Sequence, residues 1–201
     1  MQKRYERKGK IAMKSVARLL LSTTATVCLL VSPALATGTG HDHGSMPGMS
    51  DEMANMMTKM DRQMGDTSSF GHKGESSKAT RTIGIEASEI MFNMTALKVG
   101  AGETVRFVVS NKGEQPHEFT IGDGTYQELA RQMMTHMTEM GMDASSSEHT
   151  ALHESAGNTV TLGVGETKEI VWTFTKAGAF EFSCNIPGHS EVGMKGAIEV
   201  N

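Results

Sequence analysis

The stretch Phe182-Ser183-Cys184-Asn185-Ile186-Pro187-Gly188-His189-Ser190-Glu191-Val192-Gly193-Met194 brings a thiol, an imidazole and a thioether into the span from Cys184 to Met194. Thiolate and thioether are soft ligands and imidazole is borderline, a set suited to copper cycling between Cu(II) and Cu(I) and not to magnesium, calcium or manganese. Zinc accepts thiolate and imidazole but rarely thioether, so Met194 tips the choice to copper. A trigonal site of one thiolate, two imidazoles and a weak axial sulfur needs one histidine more. It must come from upstream.

His117, in Asn111-Lys112-Gly113-Glu114-Gln115-Pro116-His117-Glu118-Phe119-Thr120-Ile121, follows a turn-rich segment and opens an apolar alternation that reads as a strand. None of the other histidines stands at the head of a core strand. Taken singly, each residue has a bland reading: His117 a satisfied strand histidine, Cys184 a buried thiol, Met194 a core side chain. Their joint occurrence is hard to obtain from packing alone. With His117, Cys184, His189 and Met194 in this order and Pro187-Gly188 before the second histidine, residues from about 80 to 201 resemble the cupredoxins, the small blue-copper proteins. The resemblance implies a Greek-key β-sandwich, His117 as upstream ligand of a mononuclear type 1 copper, and the other three ligands on the loop joining the last two strands. Many cupredoxins carry Asn after the first histidine, where it ties the ligand loops together. This chain carries Glu118.

Around these ligands the sequence breaks into short alternating segments: Thr80–Glu86, Met91–Val99, Glu103–Ser110, His117–Ile121, Thr159–Val164, Thr167–Thr175, Ala179–Cys184 and Lys195–Val200. Short strands punctuated by glycine turns predict an all-β sandwich and not an α/β fold. Val105, Phe107 and Val109 share one face of their strand, as do Ile170, Trp172 and Phe174 of theirs, and both faces read as core.

An insertion at about 125–156 interrupts the pattern. Tyr126 to Met142 reads as a helix with Leu129, Met133, Met137 and Met140 on one stripe, Met134, His136 and Met142 off it, and His149 and His153 in the polar loop beyond. A helix packing its stripe on the sandwich and a second copper site are equal readings. The candidate auxiliary ligands are Met133, Met134, His136, Met137, Met140 and Met142.

The N-terminus has a different texture. A basic head ending at Arg18, an apolar run from Leu19 to Val31 and the ending Ser32-Pro33-Ala34-Leu35-Ala36 form an export signal expected to be cleaved after Ala36, which predicts a periplasmic protein. A membrane anchor is the weaker reading, because the apolar run is short for a span and diluted by Ser22, Thr23, Thr24 and Thr26. Cys28 falls within the signal, so the exported chain keeps Cys184 alone and forms no internal disulfide. A lone thiol in an oxidising compartment is a liability unless a metal occupies it.

Residues 37–79 read as a flexible Met/His-rich arm, poor in Leu, Ile, Val and Phe. It carries His41, His43, Met46, Met49, Met53, Met56, Met57, Met60 and Met64, and from Met53 onward the spacing stacks thioethers on one helical face. A core of methionine alone would be poorly specified. Copper capture is therefore the preferred reading, with thioethers taking Cu(I) and the histidine pair Cu(II). The domain proper is expected at 80–201.

Seven of the 19 basic residues and one of the 23 acidic ones lie in 1–36, so the exported chain carries about −10 against −4 for the whole. That charge argues against nucleic acid and anionic lipid, and favours solubility or a basic redox partner. No membrane association is expected once the signal is removed. Two functional classes follow. The chain resembles the exported copper-tolerance cupredoxins of the CopI type, which implies binding and redox handling of copper. The alternative is a soluble electron carrier between periplasmic redox enzymes. An enzyme such as a multicopper oxidase is disfavoured, since it needs further His-x-His pairs and more domains, so no catalytic residue is assigned.

Overall fold

The alternation at Val105, Phe107 and Val109 becomes the spine of one sheet in the computed structural model, which describes residues 55, 58–59, 62–141 and 154–201. The elements are β1 (His72–Lys73), β2 (Arg81–Ser88), β3 (Met91–Phe92), β4 (Ala96–Val99), β5 (Thr104–Asn111), β6 (His117–Gly122), α1 (Gly124–Glu139), β7 (Thr159–Leu162), β8 (Thr167–Thr173), β9 (Gly178–Ser183) and β10 (Lys195–Val200). Two five-stranded sheets form, in the orders β1-β8-β5-β2-β3 and β4-β10-β9-β6-β7. β2 lies parallel to β5 and β4 parallel to β10, while the remaining neighbours are antiparallel. This is the expected Greek-key sandwich with an inserted helix.

The inward residues of both sheets, among them Val105, Phe107, Val109, Ile170, Trp172, Phe119, Phe182 and Ile198, form one buried apolar cluster. Alternation is clearest in β10, where Gly196, Ile198 and Val200 face inward and their neighbours face solvent. A Cβ at Gly196 would lie 2.1 Å from Cζ of Phe182. The missing side chain is what lets the tip of that ring reach β10 at Gly196, with the ring stacked on Phe119 at a centroid distance of 5.5 Å.

Two expectations are corrected. Met91–Val99 is not one strand. Asn93 closes on Glu86 twice, its N–H donating to the Glu86 carbonyl (2.9 Å) and its side-chain oxygen accepting from the Glu86 N–H (3.0 Å). The first sheet ends there, and the chain crosses to the second sheet as β4. The other correction concerns Phe70 and His72, which the sequence placed in the arm. Phe70 is fully buried, stacked on Trp172 at 5.5 Å and edge-on to Tyr126 at 5.2 Å, and β1 pairs with β8. Gly71 makes the approach possible, since a Cβ there would stand 2.2 Å from the Thr173 carbonyl oxygen. Packing thus begins well before the expected boundary, with Met64 and Phe70 both in the core cluster, because a large apolar side chain gains more from burial than its polar neighbours lose.

Helix α1 starts at Asp123, whose carboxylate accepts from the Tyr126 N–H (2.9 Å) and from the Ser69 hydroxyl (2.6 Å). The cap satisfies an otherwise orphaned helix donor and ties the helix to the segment carrying Phe70. Among the described residues no helix is long and apolar enough to cross a membrane.

Candidate metal centre

His117 stands at the head of β6 because the turn before it is built around Asn111. The Asn111 side-chain amide donates to the carbonyls of Gln115 (2.8 Å), Leu162 (3.3 Å) and Gly163 (3.1 Å), and its oxygen accepts from the Gly113 N–H (2.9 Å). Gly113 packs against the imidazole: a Cβ there would lie 3.2 Å from His117 Nε2 and 2.8 Å from the Glu89 nitrogen. Asn111 and Gly113 therefore set the position of His117, and sequence reasoning gave them no such role. An Asn-x-Gly turn before a strand was the available signal.

The other three residues follow β9 on a loop closed by its own backbone. Cys184 N–H donates to the Met194 carbonyl, Met194 N–H to the His189 carbonyl, and His189 N–H to the Ile186 carbonyl, each at 3.0 Å. Gly188 and Gly193 adopt φ of +91° and +108°, conformations that a residue with a Cβ disfavours. Met194 is thus bonded through its backbone to both Cys184 and His189, and its side chain is fully buried.

The donor atoms of His117, Cys184 and His189 all lie within 4.8 Å of one another. The two imidazole centroids are 5.2 Å apart, and Cys184 Sγ is 3.3 Å from His189 Nδ1. Cys184 Sγ also accepts from the Glu118 N–H at 3.3 Å. His117 and Cys184 are wholly buried and His189 is 8% exposed.

The electrostatics fit a soft cation. Neither ring nitrogen of His117 has a hydrogen-bond partner although both are buried, which is costly for an imidazole with nothing to bind. Burial, followed by the neighbouring His189, pushes the His117 pKa down to about 4, and burial also lowers that of His189. Both rings are neutral at pH 7 and offer lone pairs. Burial, with the Glu118 carboxylate second, pushes the Cys184 thiol up to about 12. Without a cation the sulfur keeps its proton, and a bound metal takes that proton's place.

The auxiliary candidates are placed differently. Met64, Met133 and Met137 are buried in the apolar cluster, Met134 is buried, and Met140 packs against the cluster's edge. His136 Nδ1 lies 3.9 Å from a Glu139 oxygen. Among the described residues no second group of His, Cys, Asp or Glu donors converges as the first does. His41, His43, Met46, Met49, Met53, Met56, Met57, Met60 and Met142 lie outside the described residues.

A two-sheet Greek-key sandwich carrying a buried His-Cys-His cluster defines a cupredoxin, and copper as its metal. The pattern of the copper-binding proteins of the plastocyanin/azurin family matches residues 79–201, and the chain belongs to that family as a cupredoxin of the CopI type. It is 35% identical over 184 residues to the copper-resistant cuproprotein CopI of Rubrivivax gelatinosus, covering 91% of this chain and 98% of the relative. To the CopI cuproprotein of Pseudomonas aeruginosa it is 34% identical over 148 residues, covering 65% of this chain and 82% of the relative. In fold it is similar to auracyanin B, with a TM-score of 0.52 at 18% identity over 65% of this chain and 96% of that one.

Proposed function

We propose that this cupredoxin is an exported copper-tolerance protein whose core holds a mononuclear type 1 copper on His117, Cys184, His189 and Met194. The observation that carries the reading is the convergence of Cys184 Sγ and two neutral imidazoles within 4.8 Å in a buried pocket. Met194 is the fourth ligand in this reading, supported by its burial and by its backbone bonds to Cys184 and His189. A copper bound there supplies a one-electron couple, and the rigid sandwich limits reorganisation between its two states.

Export through the signal at 1–36 places the protein in the periplasm, and the segment carrying His41, His43, Met46, Met49, Met53, Met56, Met57 and Met60 acts as an auxiliary copper scavenger. The CopI relatives are named for copper resistance, which supports the tolerance role. Electron exchange with a redox protein is the second reading. It is favoured by one observation: of the four proposed ligands, His189 alone keeps any exposure, at 8%, and Val192, three positions on in the same loop, is exposed.

Copper stoichiometry and the visible spectrum test this on protein beginning at residue 37 and on the same protein lacking 37–61, a deletion that spares Met64, Phe70 and β1. More than one copper falling to one, with colour kept, is expected. One copper in both removes the arm's role and leaves the carrier reading. Cys184→Ser is expected to abolish the thiolate-to-copper band while the fold survives. A band that persists in that variant overturns the ligand assignment.

A further inference from the structure

The side chain of Gln127, in the first turn of α1, is wholly buried and reaches the ligand strands. Its amide nitrogen donates to the Thr120 carbonyl of β6 (2.9 Å) and the Glu181 carbonyl of β9 (3.2 Å). Its amide oxygen accepts from the side chain of Asn185 at 2.9 Å. The same Asn185 nitrogen donates to Glu118 Oε1 at 3.2 Å, which also accepts from the Thr120 hydroxyl at 2.5 Å. The Thr120 hydroxyl meets that of Thr159 on β7 at 3.0 Å. Gln127, Asn185, Glu118, Thr120 and Thr159 are all buried, and Glu181 is half-buried.

Asn185 follows Cys184 in the chain, and Glu118 follows His117. Glu118 gives its backbone N–H to Cys184 Sγ. We propose that Gln127 is a positioning residue for the copper site: by holding Asn185 and Glu118 together, the inserted helix sets the hydrogen bond that the Cys184 sulfur receives. This rests on the ligand assignment proposed above.

The chemistry of Gln127 suits the task. Its amide offers a donor and an acceptor, and here it binds the paired strands β6 and β9 and the Asn185 side chain of the ligand loop. Anchoring the helix needs none of this, since α1 already has the Asp123 cap, the Tyr126 hydroxyl on Asn158 (3.2 Å) and the packed Met133 and Met137. Groups behind the ligands orient them and tune the metal, and hydrogen bonds to a copper thiolate are among the controls on its potential. The Gln127–Asn185 bond joins helix α1 to the ligand loop across 58 positions, so a shift of α1 is carried to the residue beside Cys184.

Copper-loaded protein with the arm present tests the proposal through four readouts: the thiolate-to-copper band, the copper(II) hyperfine coupling, the reduction potential and affinity by chelator competition. Gln127→Met keeps the length and removes the polar atoms. It is expected to keep one core copper, shift band, coupling and potential, and weaken affinity about 10- to 100-fold. Gln127→Glu, which keeps an acceptor for Asn185 and loses the donors to Thr120 and Glu181, is expected to fall between. It carries the same test if Gln127→Met does not fold. Met137→Ala is the control for general destabilisation, with a lower melting temperature and the spectrum of the parent. Unchanged spectrum and potential in the Gln127 variants, or an equal shift in Met137→Ala, overturns the proposal. A parent protein with no thiolate-to-copper band overturns the ligand assignment itself, and this inference with it.

Discussion

Among the described residues sulfur and imidazole share a segment on the loop from Cys184 to Met194 and along helix α1, and the two regions use them differently. In the loop, Cys184 and Met194 are buried with their backbones bonded to each other, and the thiol faces two imidazoles. In the helix, Met133 and Met137 are just as buried, but their neighbours are carbon and His136 lies toward Glu139. Burial alone therefore does not distinguish a ligand from packing. Convergence of lone pairs on one point does, and it needs a backbone held by its own hydrogen bonds in conformations that Gly188 and Gly193 allow. A methionine on a regular helix cannot readily meet that condition, since its direction is set by the turn of the helix.

Substitutions can break or sharpen this contrast. The largest effect on stability is expected where the insert is anchored: Phe70→Ala should cost about 3–5 kcal/mol in chemical denaturation, because it empties the contact with Trp172 and Tyr126. In the helix, Met137→Ala should cost about 2–5 kcal/mol with copper stoichiometry unchanged. A lost copper ion there would make the helix a second site and end the contrast.

On the ligand side, Gly113→Ala should cost about 1–3 kcal/mol by overpacking. Its Cβ meets the backbone of Glu89 and the ring of His117, so copper affinity, followed by competition titration, should fall with it. The sharpest pair is also the smallest in energy. Met194→Leu and Met137→Leu should each change the stability of the metal-free protein by less than about 1.5 kcal/mol. Only Met194→Leu should move the visible band and the reduction potential. If both move it or neither does, thioether chemistry is not what separates the two regions.

Much of this was legible in the chain before any fold was known. The four proposed ligands stand out because Cys184 is the sole cysteine after Cys28 and because His189 and Met194 follow within ten positions. The strands around them stand out because the alternation is strong, and β10 matches its expected bounds residue for residue. The methionine stripe was ambiguous for a physical reason: a thioether is apolar enough for a core and soft enough for copper, and spacing along a helix is the same for both uses.

What the sequence by itself determined is local: which side chains carry copper chemistry, which segments alternate, and where glycine and asparagine make turns. What only the tertiary structure decided is everything that depends on distant partners. Phe70 looks like a stray aromatic in a polar arm until Trp172 and Tyr126 are brought to it. Met91–Val99 looks continuous until Asn93 closes on Glu86 and the chain changes sheet. Gln127 looks like an ordinary helix residue until folding places Asn185 against its amide. Each of these pairings is fixed by close packing and by the cost of leaving a buried polar group unpaired, quantities that exist only once the two sheets and the helix have met.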